Sequence, residues 1–523
     1  MNNSIKIHSA EIASLALFCL VSIALKTYFY PENRSSLAAL KSLFKQTFVY
    51  GLATVLPRMI NFFLVFLYTT EGVLSSVAEY GRVSIIFSYF VLFNVILAYG
   101  METAFFRFYS KEADKNKVIS TSTISLLISS FSFFFIALIF QNQIANFVEI
   151  DVKYINLVIW ILLLDALVII PFAWLRATEK PMRYAVIKIL NVLVNIGLNL
   201  FFLLALGDLA QNNAFFETIY VPDFEVSYVF ISNLVASALT LILMVSFYTK
   251  ISFRFDSQLW KKMMRYAWPV LIAGVAFSIN ETFDRILLDR LLPEDIAETQ
   301  IGMYSACYKL ALFMTLFATA YRLGIEPFFF SHSNSKNPQK NYARILEFFV
   351  AVGSIILLGV VVFADLIKPI VIRSEDYWEA MWIVPIILIA NFCLGIYHNL
   401  SVWYKITDRT KFGAYISVFG ALVTLAINIL FIREYGYKAS AVATLAAYGL
   451  MMLTSFLLGR RYYPIPYNLK KIVLYFSLSV ALSLLSFYKF RGEIFIGISM
   501  LIVFLGIVCY MEKRQIRLLL NKN

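Results

Sequence analysis

The sequence predicts an all-α polytopic membrane protein with about 14 transmembrane helices: two six-helix lobes related by a parallel repeat, plus two C-terminal helices. Three observations carry that reading. Of 523 residues, 60% are hydrophobic and only 15% charged, against about 25% charged in soluble chains. Apolarity runs almost unbroken through segments of about 20 residues, enough to cross a hydrocarbon core at ~1.5 Å per residue, where barrel strands would alternate. Lysine and arginine collect in every second loop, which is how loops on the cytoplasmic side look.

Residues 1–43 read as an N-terminal extension. Its apolar stretch 12–25 is short for a span and lacks the basic start and small-residue cleavage site of a signal peptide, so it reads as a dispensable extension or peripheral helix, with an extra span as the alternative. Spans are expected at 44–68, 83–104, 118–140, 153–175, 183–206, 226–248, 263–288, 301–324, 343–364, 381–404, 411–432, 438–459, 469–488 and 494–511. The first group of six occupies an N-lobe, 44–249. A cytoplasmic linker covers 250–262, a C-lobe covers 263–460, and 461–523 hold the last two spans and a cytoplasmic tail.

Charge sets the orientation. Loops after even-numbered spans carry Arg107, Lys111, Lys115 and Lys117, then Arg176, Lys180 and Arg183, then Lys250, Arg254, Lys261 and Lys262. Loops after odd spans are often acidic, with Glu149 and Asp151, Asp208 and Glu217, Glu294 and Asp295. The positive-inside rule then places the even-side loops and the C-terminus in the cytoplasm. The net charge of +13 follows from these loops and does not signal nucleic acid.

The chain repeats itself at long range. Gly51, Tyr80 and Gly100 recur as Gly274, Tyr304 and Gly324; Asn199 and Gly207 recur as Asn428 and Gly436. The shared offset points to an internal duplication. An even number of spans per unit inserts both in the same sense, as parallel repeats about an axis along the membrane normal.

Ionisable groups inside spans are costly, and they face a protein interior or a wet cavity. Glu281, Asp284, Arg285 and Leu288 follow i, i+3, i+4, i+7 spacing, so three charges share one face of the seventh span. Lys309, by helical rise about 12 Å below the outer surface, matches Asp284 and Arg285 in depth; it binds an anion or neutralises Asp284. Arg58 lies roughly 15–20 Å from either surface, too deep to snorkel easily. Asp165, midway along the fourth span, is its structural partner or a separate proton or cation site. Lys188, Asn191, Asn195 and Asn199 form a stripe on the fifth span that reads equally as helix glue and as a polar wall for a hydroxyl-rich ligand. Glu102, Arg107 and Arg322 sit near cytoplasmic ends, where snorkelling is easy. Tyr377, Trp378 and Trp382 form an interfacial belt first and a ligand platform second.

Several chemistries find no support. Cys19, Cys307, Cys393 and Cys509 have no metal or redox spacing and read as core residues; His8, His332 and His398 are scattered. No catalytic or nucleotide motif is present, so a transporter without cofactor or metal is expected rather than an enzyme.

The segment GLATVLPRMINFFLVFLYT with EYG at 79–81, FDR at 283–285, GMYSACYKLA at 302–311, EPF at 326–328 and GYKASAVAT at 436–444 resembles the bacterial oligosaccharide-lipid flippases. These belong to the multidrug/oligosaccharidyl-lipid/polysaccharide exporter superfamily. The resemblance covers roughly residues 40 to 511 and departs at Phe66, where family members often have proline. It implies two lobes around a central cavity, alternating access, and a substrate made of a polyprenyl tail, a phosphate or pyrophosphate, and an oligosaccharide. Arg58, Arg285 and Lys309 would then neutralise phosphate, with Asp165, Glu281 and Asp284 as acidic groups available for ion coupling. The expectation is a monomeric flippase of the bacterial inner membrane serving O-antigen or capsule-type polysaccharide. Its partners would be lipid-linked oligosaccharide, membrane lipids, and a polysaccharide polymerase with glycosyltransferases. The rivals are a cation-coupled multidrug exporter of the same superfamily and, more distantly, a membrane glycan polymerase or transferase, for which the outer loops are short.

The orientation has a direct check. A reporter active only in the periplasm, fused after Asn523, is expected to stay silent; strong activity would invert the assigned topology.

Overall fold

A computed structural model describes residues 62–331, 337–407 and 409–520. Regular structure among these is helical apart from one isolated bridge between Glu71 and Leu74. Lipid offers no partner for backbone N–H and C=O groups, and a helix satisfies them internally. Among the described residues, 12 helices are long and apolar enough to cross a membrane. The helix read as the seventh span is too polar for that measure, yet it runs for 35 residues. Most of the expected first span, 44–68, lies outside the described residues.

Breaks in the helices have local causes. Helix α1 (Val77–Ala98) opens on a reciprocal cap: Ser76 accepts from the Glu79 N–H, and the Glu79 carboxylate accepts from the Ser75 N–H at 2.9 Å. It stops where Tyr99 and Gly100 both take positive φ, and α2 (Met101–Lys111) resumes beyond them. Helix α3 (Lys115–Ile139) is capped by Asp114. Helices α4 (Val152–Leu167) and α5 (Ile169–Ala177) are one span interrupted at Val168. Pro171 has no N–H to give the Leu167 carbonyl, and the Tyr248 hydroxyl donates to it instead. Helix α6 (Pro181–Leu200) continues through a π-helical turn, Phe201–Ala205; α7 (Glu225–Tyr248) closes the first half.

Helix α8 (Ser257–Leu291) starts on Asp256, which accepts from the Leu259 N–H at 2.7 Å. Residues 257–262, read from sequence as linker, are therefore its opening turns. Helix α9 (Glu294–Tyr308) begins seven residues before the expected 301 because Glu294 and Asp295 suit a helix N-terminus. A short 3₁₀ turn, Lys309–Ala311, joins it to α10 (Leu312–Ser331). Then follow α11 (Pro338–Val362), α12 (Val384–Leu400), α13 (Lys411–Tyr435), α14 (Tyr437–Tyr462), α15 (Leu469–Leu484) and α16 (Ile494–Leu520). Gly436 alone joins α13 to α14 at φ 56°, and a Cβ there would sit 2.3 Å from Gln300 Oε1.

Helix α12 forms the centre of the second half, packed against α10, α11 and α14. The last two helices pack on α11. Lys471 ties them to it, reaching Glu347 at 3.5 Å and Glu512 at 2.5 Å. Cys307 and Cys393 are buried as expected, but Cys509 is exposed. Helix α16 buries only part of its circumference, so a small apolar thiol can face lipid there. Cys19 lies outside the described residues.

The two asparagines that mark the repeat make the same clamp on their own helix, with different hydroxyl donors. Asn199 donates to the carbonyl one turn back, Asn195, and accepts from the Tyr68 hydroxyl; Asn428 donates to the Thr424 carbonyl and accepts from the Ser440 hydroxyl. Both are fully buried. In each half, one amide thus holds its own helix and a second element.

The halves meet closely at α1 and α9. A Cβ at Gly302 would lie 2.2 Å from the Val77 carbonyl oxygen, and one at Gly81 would lie 1.8 Å from that of Glu298. Gly302→Ala is expected to force these backbones apart and cost about 1–3 kcal/mol, read as a lower unfolding temperature in detergent. Gly359→Ala, where nothing lies within 4 Å of the new Cβ, should leave that temperature unchanged.

Candidate functional site

The structure gathers the sequence-predicted residues into two groups, one in each half. Arg58 lies outside the described residues.

In the second half the charges converge between α8 and α9. Asp284 and Arg285 are buried, at 3% and 7% exposure. Asp284 Oδ1 accepts from Arg285 Nη1 at 2.9 Å and from the Arg285 backbone N–H, while Oδ2 accepts from the Tyr304 hydroxyl at 2.5 Å. Arg285 Nε donates to Ser305 Oγ at 3.2 Å, and Nη1 also reaches the Glu281 carbonyl at 3.3 Å. Its guanidinium lies 5.3 and 4.9 Å from the ring centroids of Tyr304 and Tyr308. Nη2 has no hydrogen-bond partner among the described residues. Most of the fork is therefore committed to holding position.

Lys309 lies in the 3₁₀ turn between α9 and α10. That turn is about 20 Å along the helix from the start of α9. Arg285 and Glu281 are the charges that Lys309 senses, and no ion pair reaches its ammonium among the described residues. A short 3₁₀ stretch within a span often marks a hinge. Taken together, Glu281, Asp284, Arg285 and Lys309 balance in charge.

The first-half group lies on α4, α6 and α7. Ser237 donates to Asp165 Oδ1 at 2.8 Å, with Asn94 and Lys188 also close to that carboxylate. The Lys188 ammonium sits 4.3 Å over the Phe172 ring. The asparagine stripe faces inward but is engaged: Asn191 donates to Thr240 at 3.0 Å, and Asn199 donates to Asn195 at 2.9 Å while accepting from Tyr68. Of these bonds, Asn191 to Thr240 joins α6 to α7, whereas Asn199 to Asn195 lies within α6. Glu102 pairs with Arg176 and Arg107 lies over Tyr266.

Three sets of contributors are not legible as site residues in the sequence. The first is Tyr304, Ser305 and Tyr308, which read as a repeat marker and parts of the 302–311 motif, because spacing does not tell which side of α9 faces α8. Asn280 links α8 to α13, accepting from Thr424 at 2.8 Å and donating to the Ser417 carbonyl at 3.2 Å. The third is an ion pair across the halves. Arg82 donates through Nε and Nη2 to both Glu298 oxygens, each at 2.8 Å. Arg290 to Glu149 at 2.9 Å and Ser374 N–H to the Thr69 carbonyl at 2.9 Å add to it on the same face. On the opposite face Lys117 meets Asp256 at 2.5 Å, and Trp260 donates to Ser125 at 2.8 Å.

The buried pair can be tested by subtraction. Asp284→Ala leaves a guanidinium uncompensated in low dielectric and is expected to cost about 3–5 kcal/mol, seen as a sharp fall in folded protein. Asp284→Ala with Arg285→Met removes both charges and should recover most of that yield.

A family model described as polysaccharide biosynthesis protein matches residues 43–325. Among curated protein sequences none matches this chain. Solved structures share its fold. A lipid II flippase, MurJ, in an inward closed conformation superposes with TM-score 0.68 at 16% identity, covering 90% of this chain and 100% of its own. A multidrug resistance MATE family transporter of the MOP superfamily, in an outward-facing conformation, gives 0.57 at 14% identity, covering 81% and 97%. A MOP superfamily transporter from Pyrococcus furiosus, for which a reversed polarity of the binding pocket is described, gives 0.54 at 14% identity, covering 80% and 95%.

Proposed function

The chain belongs to the polysaccharide biosynthesis protein family, and from that premise we propose that it flips polyprenyl-(pyro)phosphate-linked oligosaccharide across the bacterial inner membrane by alternating access. Its fold is that of the MOP superfamily transporters, and it is a multi-pass membrane protein. The proposal extends this to O-antigen or capsule-type assembly, with the C-terminus in the cytoplasm and a polymerase and glycosyltransferases as neighbours.

The observation that carries the reading is the pair of cations inside the bundle, Arg285 and Lys309, with one guanidinium nitrogen and one ammonium not engaged by described residues. A hydroxyl-rich, anionic head group entering hydrocarbon leaves polar groups unsatisfied at several kcal/mol each. An interior that offers donors and positive charge removes that cost while the polyprenyl tail stays in lipid. Asp284 and Tyr304 hold Arg285 in place beforehand, so little ordering is needed when the anion arrives. The contacts between α1 and α9, with Arg82–Glu298 beside them, close the face assigned to the outside. Release there requires those contacts to part, and the 3₁₀ turn at Lys309 is a place where α9 and α10 can bend.

A second reading is favoured by one specific observation. Asp165 is a carboxylate inside the first half with Ser237, Asn94 and Lys188 around it, a suitable site for a coupling proton or cation in a multidrug exporter.

Reconstituted vesicles separate the two. With a fluorescent polyprenyl-pyrophosphate oligosaccharide, accessibility of the glycan to an external quencher should grow with protein present. No flipping, together with proton-driven efflux of a cationic dye that Asp165→Asn abolishes, would make it a drug exporter. In cells, Arg285→Ala or Arg58→Ala should stop glycan reaching the surface while the protein accumulates in the membrane, and lysine at either position should rescue in part because charge returns without the fork. Rescue of Arg58→Ala by Asp165→Asn in the same chain would make that arginine architectural.

A further inference from the structure

Beyond the transport reading, one cluster on the face assigned to the outside has no role in it. Two cations from separate connections of the second half meet there at Asp365, and a third reaches the neighbouring Trp382 ring, against the trend that keeps such residues on the cytoplasmic side. Lys368 follows α11, Lys438 opens α14, and Arg491 lies between α15 and α16. We propose that these three residues form a binding site for the phosphate of an anionic phospholipid in the outer leaflet.

The site is built rather than a loose patch. Asp365 bridges two of the cations, meeting Lys368 Nζ at 2.9 Å and Arg491 Nη2 at 3.2 Å. Burial favours the neutral form of the Asp365 carboxyl, but hydrogen bonds from Arg491 and Lys368 outweigh it and hold the group below the usual carboxylate range. That carboxylate fixes two positive side chains side by side and leaves one net positive charge between them. Each cation also rests on an aromatic ring: Lys368 over Trp378 at 4.3 Å, Arg491 over Phe487 at 4.7 Å, and Lys438 at 5.9 Å from Trp382. The floor is held together internally, since Tyr488 donates to the Trp382 carbonyl at 2.7 Å and Trp378 donates to the Ile372 carbonyl at 3.1 Å.

Two features favour a lipid over a soluble anion. Indole and phenol rings settle at the level of the head groups, which is where phospholipid phosphates lie. Beside the cations, Trp382 and Tyr488 are 37% and 43% exposed, rings suited to the head-group and upper acyl region rather than to water. Charge complementarity selects the anion. Among the described residues no ion pair other than those with Asp365 engages Lys368, Lys438 or Arg491.

The test uses the full-length protein in detergent, with phosphatidylglycerol and phosphatidylcholine titrated separately and bound lipid counted by native mass spectrometry. Phosphatidylglycerol is expected to bind the wild type about tenfold more tightly than a variant with Lys368→Gln, Lys438→Gln and Arg491→Gln. Unfolding temperatures without added lipid identify a variant that has merely lost its fold, and Lys368→Arg with Lys438→Arg, which keeps all three charges, should then bind like the wild type. Equal binding by the triple variant, failure of the charge-keeping variant to bind, or equal binding of phosphatidylcholine by the wild type would overturn the proposal. Displacement of phosphatidylglycerol by millimolar inorganic phosphate would assign the site to free phosphate and overturn the lipid assignment. Flipping of the oligosaccharide substrate is measured separately, so either reading can fail without the other.

Discussion

Where α1 crosses α9, two backbones touch with no side chain between them, and much else follows from that contact. Gly81 and Gly302 permit it, since any Cβ would enter the facing carbonyl. Close approach is how helices bind one another in lipid, where apolar side chains gain little from leaving hydrocarbon. Once α1 and α9 are fixed, Arg82 lies against Glu298. Tyr304, two residues beyond Gly302, is placed over α8 with its hydroxyl on Asp284. The meeting of the halves and the ordering of the buried charges thus rest on the same few residues.

The second constraint is that charge in this interior must be answered locally. Asp284 engages the side chain and N–H of its own neighbour, Tyr304 completes the carboxylate, and Ser305 takes a further guanidinium donor. Removing either charge is costly, yet the arrangement leaves one nitrogen of Arg285 and the ammonium of Lys309 without a described partner. That combination of a locked scaffold and a small residue of unused donors suits recognition of an anion that must later be released, because a fully unpaired pair of cations would hold it too tightly. The lipid-facing cluster around Asp365 uses the same device at the membrane surface, one carboxylate fixing two cations that outnumber it.

Backbone breaks are handled by hydroxyls and amides. Tyr248 takes the carbonyl that Pro171 leaves open, and Asn199 and Asn428 each clamp a turn of their own helix while accepting from another element. The asparagines hold corresponding places in the two halves and each clamps its own helix, while their hydroxyl donors come from different elements, Tyr68 for Asn199 and Ser440 for Asn428.

Composition and loop charge made the membrane class, the helical fold and the approximate spans legible, because lipid leaves a chain few alternatives: long apolar runs must be helices, and cations gather on one side. Helix starts were less legible. The opening turns of α8 and α9 are polar enough to read as loop, and only their caps and packing show that they are helical. The spacing of Glu281, Asp284 and Arg285 placed them on one face of α8, since that spacing is a local, 3.6-residue property. Which residues answer them was a matter of tertiary structure. Tyr304 and Ser305 lie on another helix, as Glu298 does for Arg82 and Asp365 for Arg491, and contact across helices depends on rotation and crossing angle. No periodicity along a single chain encodes those two quantities; they are set where backbones approach, at Gly81 and Gly302.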